Sequence, residues 1–219
     1  IYTRKNLFEP LIQARNSIVA LSSQADSALH DSSESLPEAI ESLKAMLIQR
    51  DAFEEQLKNM ANTDRLTGVS NRTALDAYLK DMEMQPQSFE QLNLIVVDID
   101  YFKAVNDRYG HIFGDRVIVE VAACLKANVT QTDLIVRFGG DEFLILLKKY
   151  DLDWTIQIAE SILFDISQIQ IDLPNVEEKL KVSVSIGVAS GAESWDKLFN
   201  QADASLFKAK ESGRNRVVV

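Results

Sequence analysis

The sequence has a single cysteine and no long apolar run. Cys124 has no second cysteine to pair with, so no disulfide can form within the chain, which fits a reducing compartment. No run of about 18 apolar residues occurs, so the sequence predicts no membrane-spanning helix. The chain starts at Ile1 without methionine and shows no signal-peptide pattern, which suggests a fragment of a longer protein.

Positive charge is also scarce. The chain has 23 lysines and arginines against 33 aspartates and glutamates, giving a net charge of -10. Binding to a phosphate backbone needs a basic surface, so we expect no nucleic-acid partner. A nucleotide remains compatible if a metal and a few basic side chains supply local positive charge. With 219 residues and 46% hydrophobic content, the chain fits one globular domain plus an extension.

Residues 1–61 carry apolar side chains in alternating steps of three and four. The pattern has a polar interruption at residues 30–35 and resumes afterwards. Such heptads are typical of helices wound around partner helices, so we predict a dimerising helical segment. The alternative is an amphipathic helix packed on its own domain. The heptad positions are Leu11, Ala14, Ile18, Leu21, Ala25, Ala28, Leu36, Ala39, Leu43, Met46, Phe53, Leu57 and Met60.

Residues 62–219 predict a second, globular domain in which helices and strands alternate. Apolar patterns and turn residues give the order helix, strand, two helices, hairpin, helix, strand, helix, strand. That order predicts an α/β domain with a mixed central sheet and helices on its faces. Asp100 is the expected N-cap of a short helix, and Gly114–Asp115 is expected to open a longer one. The strands are expected at Leu92–Asp98, in the hairpin Leu134–Leu147, at Lys181–Ala189 and at Arg216–Val219.

Two pairs of acidic residues lie at the expected ends of strands. Gly139–Gly140 separates two apolar runs and suits a tight hairpin turn with positive φ, and Asp141 and Glu142 follow directly. Asp98 and Asp100 end another apolar run. If these strands are neighbours, Asp98 and Asp141 can share one divalent cation, and oxygen ligands suit magnesium. The alternative is a polar hairpin tip without chemistry.

Five ordered blocks of the sequence resemble the diguanylate cyclase (GGDEF) family. They are DRLTGVSNR from Asp64, DIDYFKAVNDRYGHIFGD from Asp98, GGDEF from Gly139, SVSIGVA from Ser183 and KAKESGRNR from Lys208. The resemblance implies a palm-like α/β fold and the condensation of two GTP into cyclic di-GMP with release of pyrophosphate. The preceding helices resemble a HAMP-type or coiled-coil signalling linker.

The resemblance implies a metal site and a catalytic set. Asp98, the backbone carbonyl of Ile99 and Asp141 match the positions that hold two Mg²⁺ or Mn²⁺ ions. Asp141 also matches the residue that helps to generate the 3′-oxygen nucleophile, and Glu142 matches a second required carboxylate. Lys103 matches the lysine that stabilises phosphate charge in the transition state.

The resemblance further implies the substrate-binding residues. Lys210 and Arg214 match a phosphate-binding pair, since arginine offers a fork and lysine a point charge. Asn106 and Asp115 match the residues that read the guanine edge, whose N1–H and N2–H₂ donors adenine lacks. Phe102 is the remaining residue expected to bind the substrate. His111, Asp64, Asn71 and Arg72 are interpreted as structural contacts.

One departure from the family pattern concerns feedback. Many members carry an RxxD inhibitory site before the paired glycines, where product binds; here Thr130 replaces the arginine and Asp133 keeps the aspartate. Without the guanidinium, product inhibition through this site is not expected.

Three functions remain open from the sequence. The first is an active diguanylate cyclase, a homodimer controlled by its N-terminal helices. The second is a degenerate GGDEF domain that binds GTP or cyclic di-GMP and only signals. The third is a related cyclase with another product. We expect a cytoplasmic location, with the cytoplasmic part of an inner-membrane receptor as the alternative, and a sensor region upstream of Ile1.

Overall fold

The computed structural model describes residues 19–20, 36–84, 89–148, 150–172 and 179–219. The chain divides into two units after Met60. No helix in these residues is long and apolar enough to cross a membrane.

Helix α1, Leu36–Asn62, accounts for the described residues of the first unit apart from the helical residues 19–20. Several of its large apolar side chains are exposed, among them Leu43 and Leu57 at heptad positions. Ala39, Met46 and Phe53, also heptad positions, are half-buried. The heptad residues between 11 and 28, Ile18 included, and the polar connector at 30–35 lie outside the described part of the chain.

The second unit alternates helices and strands in the predicted order, with one addition. The short strands β4 and β5 form a separate two-stranded hairpin that the sequence analysis did not predict. The elements are α2 (Arg72–Glu83), β1 (Leu92–Ile99), α3 (Phe102–Tyr109), α4 (His111–Asn128), β2 (Leu134–Arg137), β3 (Glu142–Lys148), α5 (Leu152–Ser167), β4 (Gln170–Asp172), β5 (Lys179–Lys181), β6 (Val184–Ser190), α6 (Trp195–Glu211) and β7 (Arg216–Val218).

The main sheet has five strands in the order β2-β3-β1-β6-β7. All neighbours are antiparallel except β6 and β7, which are parallel. This mixed sheet with helices on both faces confirms the predicted fold class. It also confirms the β2–β3 hairpin and the adjacency of β1 and β3, on which the shared carboxylate site depends.

The sheet separates two hydrophobic cores. Alternate residues of β1 point to opposite faces, as the two-residue period of a strand requires. Ile95 and Val97 pack with side chains of α4 and α5, whereas Leu94 and Val96 pack with side chains of α2 and α6. Because both faces are covered, β1 is an almost unbroken apolar run, and its first interruption near the site is Asp98.

Helix α6 lies unusually close to strand β6. A Cβ on Gly187 would lie 2.1 Å from the Ala202 carbonyl oxygen and 2.4 Å from the Leu206 nitrogen. Only glycine permits this approach, which fixes where the side chains of the C-terminal half of α6 lie relative to the sheet.

Two of the predicted helix starts are wrong. Asp100 does not cap α3: the N-cap is Tyr101, in the left-handed region at φ 56°, and no side chain caps this helix. The Asp100 carboxylate accepts hydrogen bonds from Ser183 and Ser185 instead. Helix α4 begins at His111, after Gly110 at φ 84°, so Gly114 and Asp115 lie within it.

Candidate active site

Three acidic residues meet at one end of the central strands. In the antiparallel register, Asp98 of β1 lies opposite Glu142 of β3 and opposite Ser185 of β6. The Ile99 amide donates a hydrogen bond to the Asp141 carbonyl oxygen (3.2 Å). The structure therefore brings Asp98, Ile99, Asp141 and Glu142 together, although they come from separate stretches of the sequence.

The paired glycines form a tight connection between β2 and β3. The Phe138 and Gly139 amides both donate to the Glu142 carbonyl oxygen, at 2.9 and 3.2 Å. Neither Gly139 nor Gly140 has a positive φ, so the expectation of a left-handed turn is wrong. A Cβ on Gly140 would meet nothing within 4 Å. The space at Gly140, next to Asp141 in the chain, is therefore open.

Arg137 connects this loop to the start of the second unit. Its Nη2 and Nε donate to the Gly140 carbonyl oxygen, at 2.8 and 3.3 Å, and its Nη1 contacts Asp64 at 3.2 Å. Burial pushes the pKa of Asp64 up, but hydrogen bonds from Thr67 and the Arg137 guanidinium outweigh this effect, so the pKa lies below its ordinary value. Asp64, interpreted from sequence as a structural contact, thus anchors Arg137, which holds the glycine loop.

Asp98 forms an ion pair with a residue from the other end of the chain. Lys210 Nζ of α6 lies 2.8 Å from Asp98 Oδ2, and both side chains are largely shielded from solvent. Burial nevertheless raises the pKa of Asp98; Lys210 opposes that rise, and the nearby charges of Asp141 and Asp100 add to it. The site therefore holds more negative charge than one lysine neutralises.

Glu142 is exposed to nearby charges that also act on Asp98, and to that of Asp203, a residue that the sequence did not predict at the site. Burial, then Asp98 and Asp203, raise its pKa above the ordinary glutamate value, while Lys210 lowers it. Asp203 is seven residues before Lys210 in α6, and this spacing places both on one face of the helix. That spacing was the available signal.

Asn106 and Phe102 of α3, both expected to bind substrate, lie against Gly114 of α4. The side-chain oxygen of Asn106 is buried and has no hydrogen-bond partner among the described residues. A Cβ on Gly114 would lie 2.0 Å from that oxygen and 3.1 Å from Cζ of Phe102. The next residue, Asp115, is exposed. A buried acceptor without a partner is costly, so a donor from a ligand would satisfy Asn106.

The expected phosphate-binding residues lie around the same strand end. The Arg214 guanidinium stacks 4.6 Å from the centre of the Tyr101 ring, and its Nη1 lies 3.5 Å from the Tyr101 hydroxyl. Lys103 is exposed on α3. Lys210 is paired with Asp98, as described above.

The donor set fits a hard divalent cation. Asp98, Asp141 and the Ile99 carbonyl are all oxygen donors, the type that Mg²⁺ prefers. Burial, and then the charges of Asp141 and Asp100, raise the pKa of Asp98, so a cation beside this carboxylate would be stabilising. Among the described residues, no three His, Cys, Asp or Glu side chains are arranged to bind a metal. The expected ligand set has only two such side chains, Asp98 and Asp141, and its third ligand is a backbone carbonyl.

The altered inhibitory-site sequence forms a closed turn after α4. The Thr130 amide and hydroxyl both donate to Oδ2 of Asp133, at 2.9 and 2.7 Å. Thr130 and Asp133 also line an open pocket of about 350 Å³ with Lys126. The ammonium of Lys126 donates to the Thr67 carbonyl oxygen (2.8 Å).

Comparison with known proteins gives the same family for residues 61–216, nearly all of the second unit. The sequence model of the family described as "Diguanylate cyclase, GGDEF domain" matches residues 61–216. Diguanylate cyclase DgcM of Escherichia coli K12 is 38% identical over 176 residues, covering 78% of this chain and 42% of its own length. The response regulator PleD of Caulobacter vibrioides is 35% identical over 182 residues, covering 78% and 40%. The chain thus spans less than half the length of these curated relatives.

Two solved structures also extend into the helical segment. The coiled coil and GGDEF domain of DgcB from Caulobacter crescentus, in complex with c-di-GMP, has a TM-score of 0.74 at 30% identity, covering 84% of this chain and 99% of that one. Diguanylate cyclase SiaD of Pseudomonas aeruginosa, in complex with its activator SiaC, has a TM-score of 0.72 at 30% identity, covering 95% and 79%.

Proposed function

Since the chain belongs to the diguanylate cyclase (GGDEF) family, we propose that it condenses two GTP molecules into cyclic di-GMP and releases two pyrophosphates. The observation that carries this proposal is the complete set of charged groups at one strand end: Asp98, Asp141 and Glu142 beside Lys210. A domain that only binds nucleotide does not need the second carboxylate, Glu142.

The residues of this chain divide the reaction between them. In each half, the 3′-oxygen of one GTP attacks the α-phosphorus of the other, the bond to pyrophosphate breaks, and the 3′-hydroxyl loses its proton. Asp141 and Glu142 are the candidate acceptors for that proton, and the raised pKa of Glu142 makes its carboxylate a stronger base than an ordinary glutamate. Lys103, Lys210 and Arg214 oppose the negative charge that develops on the phosphates.

Asp98, the Ile99 carbonyl and Asp141 would hold Mg²⁺ or Mn²⁺. When bound, two such ions neutralise the triphosphate and polarise the α-phosphorus. Because Lys210 pairs with Asp98 in the structure, this lysine is the internal counterion of the carboxylate that would bind the metal.

Guanine is selected by a carboxylate and an amide. Asp115 accepts hydrogen bonds from N1–H and N2–H₂, and the buried oxygen of Asn106 accepts a further donor. Adenine would leave these acceptors unpaired, and such a mismatch is worth a large discrimination. Phe102 packs beside Asn106 and limits the space for the base.

The whole protein is proposed to act as a homodimer, because each site takes one GTP whereas the product contains two guanosines. The N-terminal helices would hold the chains together and transmit a signal from an upstream region. The proposed location is cytoplasmic, with attachment to a membrane receptor as the alternative.

Incubation of the full chain with GTP and Mg²⁺, followed by mass spectrometry of the product, tests the proposal. We expect cyclic di-GMP from GTP and no cyclic product from ATP. Asp98→Ala and Glu142→Gln should each abolish turnover without unfolding the chain. Nucleotide binding without turnover in the wild type would instead identify a signalling module, and normal activity in both variants would refute the site assignment.

A further inference from the structure

Asp100 is a buried carboxylate to which the proposed mechanism gives no task. Only 6% of its surface is exposed. Its Oδ1 accepts from the Ser185 hydroxyl (2.7 Å), and its Oδ2 accepts from the Ser183 hydroxyl (2.8 Å) and from the Asn215 amide (3.1 Å). Its own amide donates to the Ser183 carbonyl oxygen (2.9 Å). Asp100 therefore joins the end of β1, the start of β6 and the turn after α6.

Strained backbone is concentrated at the same place. Within the described ranges, the non-glycine residues with positive φ are Tyr101 at 56°, Arg214 at 59° and Asn215 at 46°. Tyr101 follows Asp100 directly, and Arg214 and Asn215 form the turn that Asp100 binds. Such conformations persist where the surrounding structure enforces them, and they cluster at functional sites. The hydrogen bond from the Asn215 amide to the Asp100 carboxylate is a contact that holds the Arg214–Asn215 turn in its positive-φ conformation.

The two strained segments carry the two halves of one contact. Tyr101 supplies the ring and Arg214 the guanidinium of the stack at 4.6 Å. Asp100 directly precedes Tyr101 in the chain. Its carboxylate also accepts a hydrogen bond from the amide of Asn215, the residue that follows Arg214. An Arg side chain is long and flexible, so the position of its guanidinium depends on its backbone and on the surface against which it packs.

We propose that Asp100 is a positioning residue for triphosphate binding: it holds the Arg214–Asn215 turn so that the Arg214 guanidinium is fixed against Tyr101. This inference rests on the proposed function, because it takes Arg214 to contact phosphate. Asp100 itself does not touch the substrate.

Amide hydrogen exchange on the full chain tests the structural half of this inference without nucleotide. Asp100→Asn leaves a single acceptor oxygen for the two serine hydroxyls and the Asn215 amide and removes the negative charge, so the hydrogen bond from Asn215 is weakened or lost. Ser185→Ala removes one donor to Asp100 and leaves all charges near Asp98 unchanged. We expect faster exchange in residues 213–217 in both variants, more so in Asp100→Asn. Unchanged exchange would overturn the inference, and if Asp100→Asn does not fold, Ser185→Ala decides alone.

Binding of a non-hydrolysable GTP analogue, measured by calorimetry, tests the functional half. We expect the Kd of Asp100→Asn to rise about tenfold, equivalent to about 1.4 kcal/mol, with a smaller rise in Ser185→Ala. Thr155→Val is the matched control: Thr155 is fully buried, and its hydroxyl donates to the Asp151 carbonyl oxygen (2.8 Å). It should lower stability without changing this Kd.

A double-mutant cycle shows whether Asp100 acts through Arg214. In an Arg214→Ala background, Asp100→Asn should weaken analogue binding little further, because the guanidinium that it positions is gone. Additive losses would overturn the inference. A wild-type chain that binds no GTP analogue would refute the proposed function, whereas the exchange experiment would still decide whether Asp100 holds the turn.

Discussion

At the scale of single residues, Glu142 combines a place at the site with an unfavourable environment. Burial and the charges of Asp98 and Asp203 raise its pKa, so ionised Glu142 is less stable in the folded chain than in the unfolded one. We predict that Glu142→Gln raises the melting temperature at pH 7. Below the ordinary glutamate pKa the residue is protonated in both states, so the gain should vanish there and grow as pH rises towards the raised folded pKa.

Thermal unfolding across a pH series measures this effect. Glu193→Gln is the control, because the ion pair with Lys197 lowers the pKa of Glu193 and its charge does not destabilise the fold. That variant should show no gain at pH 7. A Glu142→Gln chain that melts at or below the wild-type temperature at neutral pH would contradict the assignment of a destabilising charge.

Arg137 is the second residue whose geometry leads to a prediction. Its guanidinium reaches the Gly140 carbonyl and Asp64 at once, and a lysine ammonium cannot reproduce that fork. We predict that Arg137→Lys lowers kcat by up to about 100-fold, because small displacements at a reaction centre have effects of this size. Steady-state kinetics and the melting temperature measure the outcome.

The neighbouring exposed residue Arg65 provides the control for this experiment. Arg65→Lys keeps the charge at the same end of the domain and should leave kcat unchanged. If Arg137→Lys retains full kcat, the glycine loop does not depend on this contact.

At the scale of elements, the close contact between α6 and β6 sets the position of Lys210. Gly187→Ala would place a Cβ 2.1 Å from the Ala202 carbonyl oxygen, so the helix must shift outwards. We predict a loss of about 1–3 kcal/mol in the free energy of unfolding, the usual cost of overpacking, together with reduced activity. Denaturant unfolding measures the loss. Gly140→Ala, whose Cβ meets nothing within 4 Å, should leave stability nearly unchanged.

The turn between α4 and β2 leads to a prediction about regulation. Thr130 already occupies Asp133 Oδ2 with two hydrogen bonds, and no guanidinium is present to clamp a product phosphate. We predict that cyclic di-GMP does not inhibit non-competitively in steady-state assays. Micromolar non-competitive inhibition that disappears in Asp133→Ala would show that the site functions without the arginine.

The sequence predicted most elements of the second unit because their apolar patterns are strong and their order is simple. Strand β1 is an apolar run that ends in Asp98, and its adjacency to β3 is confirmed. The hairpin of β4 and β5 was missed because each strand has only three residues, too few to show a period. The domain boundary near residue 61 and the roles of the site residues remain predictions.

The errors lie where tertiary contacts outweigh local preference. Asp100 is a good N-cap residue by type, but its carboxylate accepts hydrogen bonds from Ser183 and Ser185, which lie 83 and 85 residues further along the chain at the start of β6. A local sequence pattern cannot predict a contact between residues so far apart in the chain. The same limit applies to Lys210, whose ion pair with Asp98 joins two segments that meet only after folding.

At the scale of the whole molecule, the proposed reaction needs two chains to associate, whereas their net negative charge opposes association. The proposed product joins two guanosines, so two sites must meet, yet chains of net charge -10 repel each other. Helix α1 offers a way to overcome this repulsion, because it exposes large apolar side chains that include Leu43 at 59% and Leu57 at 39%. Burying such residues between two copies would tether the sites at an effective concentration on the order of millimolar.

We therefore predict that the full chain is a homodimer through its N-terminal helices. A truncated chain that begins at Ala61 keeps the hydrogen bond from Asn71 to the Ala61 carbonyl (2.7 Å) and should fold, but should be mainly monomeric. Its specific activity should rise with enzyme concentration, whereas that of the full chain should not. Charged replacements at Leu43 and Leu57 should reproduce the truncation without touching the active site. Light scattering and activity over a concentration series measure both effects. Equal, concentration-independent activity of the two chains would show that these helices are not the dimerising element.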